Sequence, residues 1–162
     1  METNFAPWRL GYIKSDKNEE GCVFCRAFEE QPSFDNLVIF RNELVAVMLN
    51  RYPYNNGHIL VVPRSHKDSL TMLEKEEQHA LSDAVALCEN AIRSCYSPDG
   101  LNIGMNLGRA AGAGIVDHLH YHILPRWHGD TNYVTVIGEL RVIPEDLESS
   151  YNHLRNFFPS GG

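Results

Sequence analysis

Three histidines recur at strict two-residue spacing in His118-Leu119-His120-Tyr121-His122. Imidazole is the side chain best suited to bind a metal, attack phosphorus or move a proton near neutral pH. In an extended strand alternate side chains share a face, so His118, His120 and His122 point one way while Leu119, Tyr121 and Ile123 point toward a core. The outer two rings are about 13 Å apart at their Cα atoms, so a flat strand does not let all three clasp one ion. That spacing favours divided labour. A ring with a pKa of about 6.5 is mostly neutral in the cytosol and attacks phosphorus without a separate base. Its neighbours then hold the phosphate or supply a proton to the departing oxygen. Two other readings compete: a catalytic metal held by His118 and His120, and histidines that merely decorate a surface.

A second group is Cys22-x-x-Cys25, half of a zinc knuckle that two histidines would complete as a tetrahedral Cys₂His₂ set. A closed set of four ligands is structural, because it leaves no position for a reactive water. The plain alternative is a pair of reduced cysteines packed in a short helix. Cys88 and Cys95, seven apart in a helical pattern, read as small buried apolar side chains.

These groups need a scaffold. Residues 22–30 fit a short helix. Leu37-Val38-Ile39-Phe40 and Val45-Ala46-Val47-Met48-Leu49 fit strands joined by a turn at Arg41-Asn42-Glu43. The apolar run His58-Ile59-Leu60-Val61-Val62-Pro63 suggests a strand inside a sheet. Leu81, Val85, Cys88, Ile92 and Cys95 recur at helical spacing, with Thr71-x-x-Glu74 as a capping box upstream. Ser97-Pro98-Asp99-Gly100 ends this long helix, Leu101 to Leu107 reads as a strand, and Gly108 to Gly114 is a glycine-rich loop leading into the histidine strand. Pro144 at a first helical position precedes Leu147, Tyr151, Leu154 and Phe158, an amphipathic C-terminal helix. Strands that mostly neighbour one another in sequence, with one long helix between the third and fourth, predict an antiparallel α+β layer.

The 162 residues are the length of one domain able to bury a core, and 43% hydrophobic with 22% charged residues is a globular composition. A net charge of −7 argues against general nucleic-acid binding, which needs a cationic surface. No run is long and apolar enough for a membrane span, and the N-terminal stretch lacks an apolar signal core, so the expected location is the cytoplasm.

The triad followed by Ile123-Leu124-Pro125-Arg126, together with Asn56-Gly57-His58-Ile59-Leu60-Val61-Val62-Pro63-Arg64-Ser65-His66, resembles the histidine-triad (HIT) superfamily of nucleotide hydrolases and transferases. The resemblance runs from Ala6-Pro7-Trp8-Arg9 to Val142-Ile143-Pro144-Glu145. Within the superfamily the chain is similar to the bacterial-type branch of diadenosine tetraphosphate phosphorylases. The shared features are Ala6 to Arg9, Leu49-Asn50-Arg51-Tyr52-Pro53-Tyr54, Ala111-Gly112-Ala113-Gly114, and Pro125-Arg126-Trp127 with Gly129-Asp130-Thr131-Asn132.

The resemblance implies one HIT-like domain over 1–162, with an antiparallel sheet of about five strands, one long helix and a C-terminal helix. It implies that His120 is the nucleophile, forming a covalent nucleotidyl intermediate at the α-phosphorus of a dinucleoside polyphosphate. His58 and His122 would line the same phosphate, with His122 protonating the leaving group. Some transferases of the family carry glutamine at the position of His122, so a histidine there leaves both hydrolysis and phosphorolysis open. Asn50 would bind the ribose, Asn106 the phosphate or leaving group, and the loop with Gly112 and Gly114 would bring backbone N–H groups to phosphate oxygens. Relatives have a serine or threonine three residues before the triad, where this chain has Ile115, so one hydroxyl donor is missing and either backbone donors or Arg109 would compensate.

Zinc-bearing relatives use the equivalents of Cys22, Cys25, His66 and His118, which implies a structural zinc, no organic cofactor, and His118 set apart from the reacting pair. Trp127 would stack on a base or cap the core. A homodimer is the common assembly of relatives. Further alternatives are hydrolysis of nucleoside phosphoramidates and nucleotide binding without turnover.

Overall fold

The computed structural model describes residues 21–132, 135, 137, 138 and 142–159; Ala6 to Arg9 lies outside them. Two apolar runs, β2 (Val45–Leu49) and β3 (Ile59–Pro63), are buried at every position, so both of their faces must be covered. One face sends Val45, Val47, Leu49, Ile59 and Val61 into the main core. The other sends Ala46, Met48, Leu60 and Val62 into a smaller cluster with Phe24, Ala27 and Phe28. Strand periodicity of two thus splits one sheet between two cores.

The remaining strands are β1 (Val38–Arg41), β4 (Gly100–Gly104) and β5 (Tyr121–Arg126). All pair antiparallel in the order β1-β2-β3-β5-β4, an α+β sheet of five strands as the sequence predicts. The register shifts between Val38 and Phe40, and there the Val38 carbonyl accepts a hydrogen bond from the Tyr151 hydroxyl at 3.1 Å. A side chain thus supplies a partner to backbone at a strand irregularity.

The main core is covered by α2 (Lys75–Tyr96), whose Leu81, Ala84, Cys88, Ala91 and Ile92 are buried. Its capping box is Glu74 with Glu77, the Glu74 N–H donating to the Glu77 carboxylate at 3.1 Å. Thr71 belongs instead to a separate 3₁₀ turn, Leu70–Met72, whose Ser69 cap accepts from the Thr71 N–H. The helix ends at Ser97 in the left-handed region, φ 45°. The α1 helix (Val23–Arg26) is shorter than 22–30, and β4 stops at Gly104. In α3 (Leu147–Arg155) the cap is Asp146, accepting from the Ser149 N–H at 2.7 Å, so Pro144 precedes the helix and is not its first residue. Phe158 lies past the helix yet is buried in the same core as Tyr151 and Leu154.

Candidate active site and metal centre

The histidine face is the α1 face. His122 of β5 is paired with Leu60, and Ile123 with Ile59. His122 therefore lies on the Leu60 side of the sheet, while Ile123 enters the core under α2. The strand proper begins at Tyr121, but alternation continues upstream, because the Leu119 N–H donates to the Lys67 carbonyl at 2.7 Å and the Leu119 side chain is buried in the main core. His118 and His120 are thereby pressed against Phe24, with ring centroids 5.4 and 4.7 Å from it.

Hydrogen bonds to backbone fix which nitrogen of each ring carries a proton. Nδ1 of His120 is 3.0 Å from the His118 carbonyl oxygen. A carbonyl only accepts, so this nitrogen must bear the hydrogen, and Nε2 of the neutral ring keeps its lone pair. Burial holds the His120 pKa below its usual value, although the bond to His118 pulls the other way. The ring is 4% exposed and lines the large cleft described below.

His58 and His122 take the opposite arrangement. The Tyr54 N–H donates to His58 Nδ1 at 3.1 Å, so His58 carries its hydrogen on Nε2 and donates it to His122 Nδ1 at 2.9 Å. His122 Nδ1 being an acceptor, its hydrogen sits on Nε2. The Asn50 amide lies on the same accepting nitrogen of His58, at 3.3 Å. Burial first, then the neighbouring imidazoles, lower His58 to about 3 and His122 to about 4. His58 is fully buried and absent from the cleft wall. It stands behind His122 and donates the hydrogen bond that orients it.

Tyr54 covers this pair, its ring 4.6 Å from His58 and nearly parallel to His122 at 5.7 Å. The loop that carries it turns at Gly57, φ 65°, where a Cβ would meet the Tyr96 ring at 2.5 Å. Both facts require glycine. Asn55 fastens the loop to the end of β5, donating to the Pro125 carbonyl at 3.2 Å and to Asp130 at 3.1 Å. Arg126 grips Asp130 through two bonds of 2.7 and 2.8 Å, and holds its carboxyl well below the usual range. Tyr54, Gly57, Arg126 and Asp130 enter the sequence analysis only as marks of resemblance, with no supporting role.

On the far side of His120, one donor atom each from Cys22, Cys25, His66 and His118 lies within 4.8 Å of all the others. The Cys25–His66, Cys22–His118 and Cys25–His118 distances are 3.3, 3.5 and 3.7 Å. A tetrahedral zinc with ordinary bond lengths would hold sulfur and nitrogen about 3.5 Å apart. The His118 Nε2 donates to the Pro63 carbonyl at 2.9 Å, which leaves Nδ1 as the ligand atom. Burial raises the Cys22 thiol, but the bond to His118 and backbone N–H groups outweigh it and bring the pKa to about 6. Burial and the adjoining Cys22 raise Cys25. A second thiolate is thus costly until a cation is shared. The donor set fits zinc, and His118, not His120, belongs to it.

Both groups open on one cleft of about 750 Å³, lined among others by His120, His122, Asn50, Tyr54, Cys22 and Gly114. Of the predicted nucleotide contacts, Asn50 and Gly114 reach it and Asn106 and Gly112 do not. Gly112 caps the 3₁₀ turn Arg109–Ala111 with φ 92°. The N–H groups of Ala111, Gly112 and Ala113 are spent closing that turn, on the carbonyls of Gly108 and Arg109. Trp127 packs edge-on against Tyr96 at 6.2 Å.

A HIT domain family model matches residues 31–129. The chain is 39% identical to an AP-4-A phosphorylase of Mycobacterium tuberculosis, over 93% of this chain and 80% of that protein. It is 31% identical to an adenylylsulfatase of Arabidopsis thaliana, over 86% and 70% respectively. Among solved structures, a zinc-bound histidine triad family protein from Mycobacterium smegmatis superposes with a TM-score of 0.67 at 31% identity, covering 85% of this chain and 92% of that one.

Proposed function

The chain belongs to the HIT family, and from that premise we propose that it cleaves dinucleoside polyphosphates, diadenosine tetraphosphate foremost, through a nucleotidyl-His120 intermediate. The observation that carries this reading is the bond from His120 Nδ1 to the His118 carbonyl, which aims an unprotonated Nε2 away from the backbone. That lone pair forms the bond to the α-phosphorus, and the bond from phosphorus to the bridging oxygen breaks with its electron pair on the leaving nucleotide. Phosphate or water then attacks phosphorus from solution, and the nitrogen recovers its pair. Splitting the transfer in two lowers each barrier. Asn50 binds the ribose and Gly114 borders the phosphates, consistent with their places on the cleft. The similarity to an AP-4-A phosphorylase and to an adenylylsulfatase supports adenylyl capture as the common step, with the leaving group differing.

Zinc, when bound by Cys22, Cys25, His66 and His118, supplies a rigid cross-link and no reactive water, since all four positions are filled by protein. His118 thereby holds its own carbonyl, the acceptor for His120, in place. The reading takes residues 1–162 as one domain working on a soluble nucleotide in the cytoplasm as a homodimer; a monomer mass in sedimentation would remove the dimer.

Incubation with diadenosine tetraphosphate tests the function. With phosphate the expected products are ADP and ATP; with water alone as acceptor they are AMP and ATP. Mass spectrometry of acid-sparing quenches should find one adenylyl group on His120. Two ADP as the products, or turnover with no adduct at any time, would defeat the mechanism.

A further inference from the structure

Glu145 stands just ahead of α3, at the end of the stretch Val142-Ile143-Pro144-Glu145, and adenylyl transfer as described leaves it without a part. Its side chain is only 18% exposed. The carboxylate accepts from the Tyr96 hydroxyl at 2.7 Å, the Ser150 hydroxyl at 2.6 Å and His153 Nδ1 at 2.7 Å. Tyr96 ends α2, whereas Ser150 and His153 belong to α3. One carboxylate thus ties two helices together, through bonds strengthened by its charge. Burial pushes the Tyr96 phenol above its usual pKa, so it remains a donor.

This hub reaches the loop between β2 and β3 by two routes. The Tyr96 ring lies so close against Gly57 that no side chain fits between them. The Glu145 N–H donates to the Asn56 side-chain oxygen at 3.4 Å. Between loop and hub lies a cavity of about 10 Å³, with Pro53, Gly57 and His58 on one side and Ile143, Glu145 and Ser150 on the other. That is room for about one water. Packing this close passes a displacement of the hub on to the loop instead of absorbing it. Asn55 fastens the same loop to the end of β5, so neighbouring asparagines pin it to two different elements. The pinned loop carries Tyr54, whose N–H meets His58 and whose ring covers His58 and His122.

Resting on the adenylyl-transfer reading above, we infer that Glu145 is a positioning residue for the reaction: from outside the cleft it acts through Tyr96 and Asn56 to hold the loop that sets Tyr54 against the imidazoles. The competing role is merely to seat α3. Tyr151 separates the two, because its hydroxyl docks the same helix on the Val38 carbonyl of β1 and not on the loop.

The full-length protein is compared with Glu145→Ala, Glu145→Gln, Tyr96→Phe and Tyr151→Phe. With diadenosine tetraphosphate, Glu145→Ala and Tyr96→Phe should lose about 10- to 100-fold in kcat with KM little changed, the cost of a group displaced by about an ångström. Glu145→Gln keeps an oxygen for Tyr96 and Ser150 and should recover most of that loss. Tyr151→Phe should lower the thermal midpoint and keep the wild-type kcat. A second readout needs no turnover: the ¹⁵N–¹H resonances of the His58 ring should move in Glu145→Ala and Tyr96→Phe and stay in place in Tyr151→Phe. Wild-type kcat in Tyr96→Phe and Glu145→Ala would overturn the inference, and so would unmoved His58 resonances or an equal loss of kcat in Tyr151→Phe. Should Glu145→Ala fail to fold, Tyr96→Phe, which keeps the ring and loses only the hydroxyl, decides alone. If the wild type turns over no dinucleotide while the resonances move as expected, the adenylyl-transfer reading falls and the anchoring of the loop stands.

Discussion

Two histidine clusters sit side by side on the α1 face of the sheet, and they differ in what their second ring nitrogens do. At the candidate metal centre His118 gives its Nε2–H to the Pro63 carbonyl, so its Nδ1 lone pair converges with two sulfurs and the His66 nitrogen. Two residues on, His120 gives its Nδ1–H to a carbonyl and keeps the Nε2 lone pair for the cleft. Two residues further, His122 accepts on Nδ1 and offers Nε2–H. On the proposed reading, identical side chains at equal spacing become a ligand, a nucleophile and a hydrogen-bond donor. Chemistry is set here by the partner behind each ring, and not by the ring.

The sharpest break of that comparison is to remove one ring from each cluster. His120→Ala should abolish adenylyl transfer, by about 10⁴-fold or more, with the thermal midpoint nearly unchanged. Steady-state kinetics beside calorimetry would show it, and normal turnover in this variant would refute the division. At the other cluster His66→Ala should leave the reacting rings in place but lower the midpoint by about 10 °C, equivalent to about 3 kcal/mol, and reduce bound zinc in elemental analysis. A chelator should lower the wild-type midpoint and leave that of the variant unmoved; equal sensitivity of the two would mean that the four donors do not act together.

His58→Phe is the next smaller test, because His58 touches His122 and not the cleft. Turnover should fall by about 10- to 100-fold with KM little changed, the usual cost of a misplaced group. The same variant reports on pH. His58 is lowered to about 3 in the folded protein, from 6.5 when unfolded. Between these values the unfolded chain binds the extra proton, so this contribution to stability is whole above pH 6.5 and is lost as the pH falls toward 3. Urea unfolding from pH 7 to 4 should therefore show the wild type losing more stability than His58→Phe. A difference that stayed constant would mean that His58 titrates normally.

Much of this was legible beforehand because alternation and apolar runs are local. Val45–Leu49 and Ile59–Pro63 announce central strands, and His118, His120 and His122 share a face as a period of two demands. The zinc donors were named through resemblance, and the fold brings Cys22 and Cys25 to His66 and His118 across 41 to 96 residues of sequence. What could not be read were partners made of backbone. The Pro63 carbonyl, the His118 carbonyl and the Tyr54 N–H carry no side-chain signature, yet they assign every ring its role. The glycine-rich loop shows a related point: a sequence does not reveal that Ala111, Gly112 and Ala113 use their N–H groups to close a turn, while Gly114 borders the cleft. The capping box was displaced from Thr71 to Glu74 because an intervening 3₁₀ turn delays the helix.

Phe24 lies inside the Cys22-to-Cys25 turn and touches the rings of both His118 and His120. The same four residues thus furnish two sulfur donors and one wall around His120. On the proposed reading, loss of the ion would loosen the turn that carries Phe24, so a closed metal site with no chemical part in the reaction would still govern how firmly the attacking ring is walled.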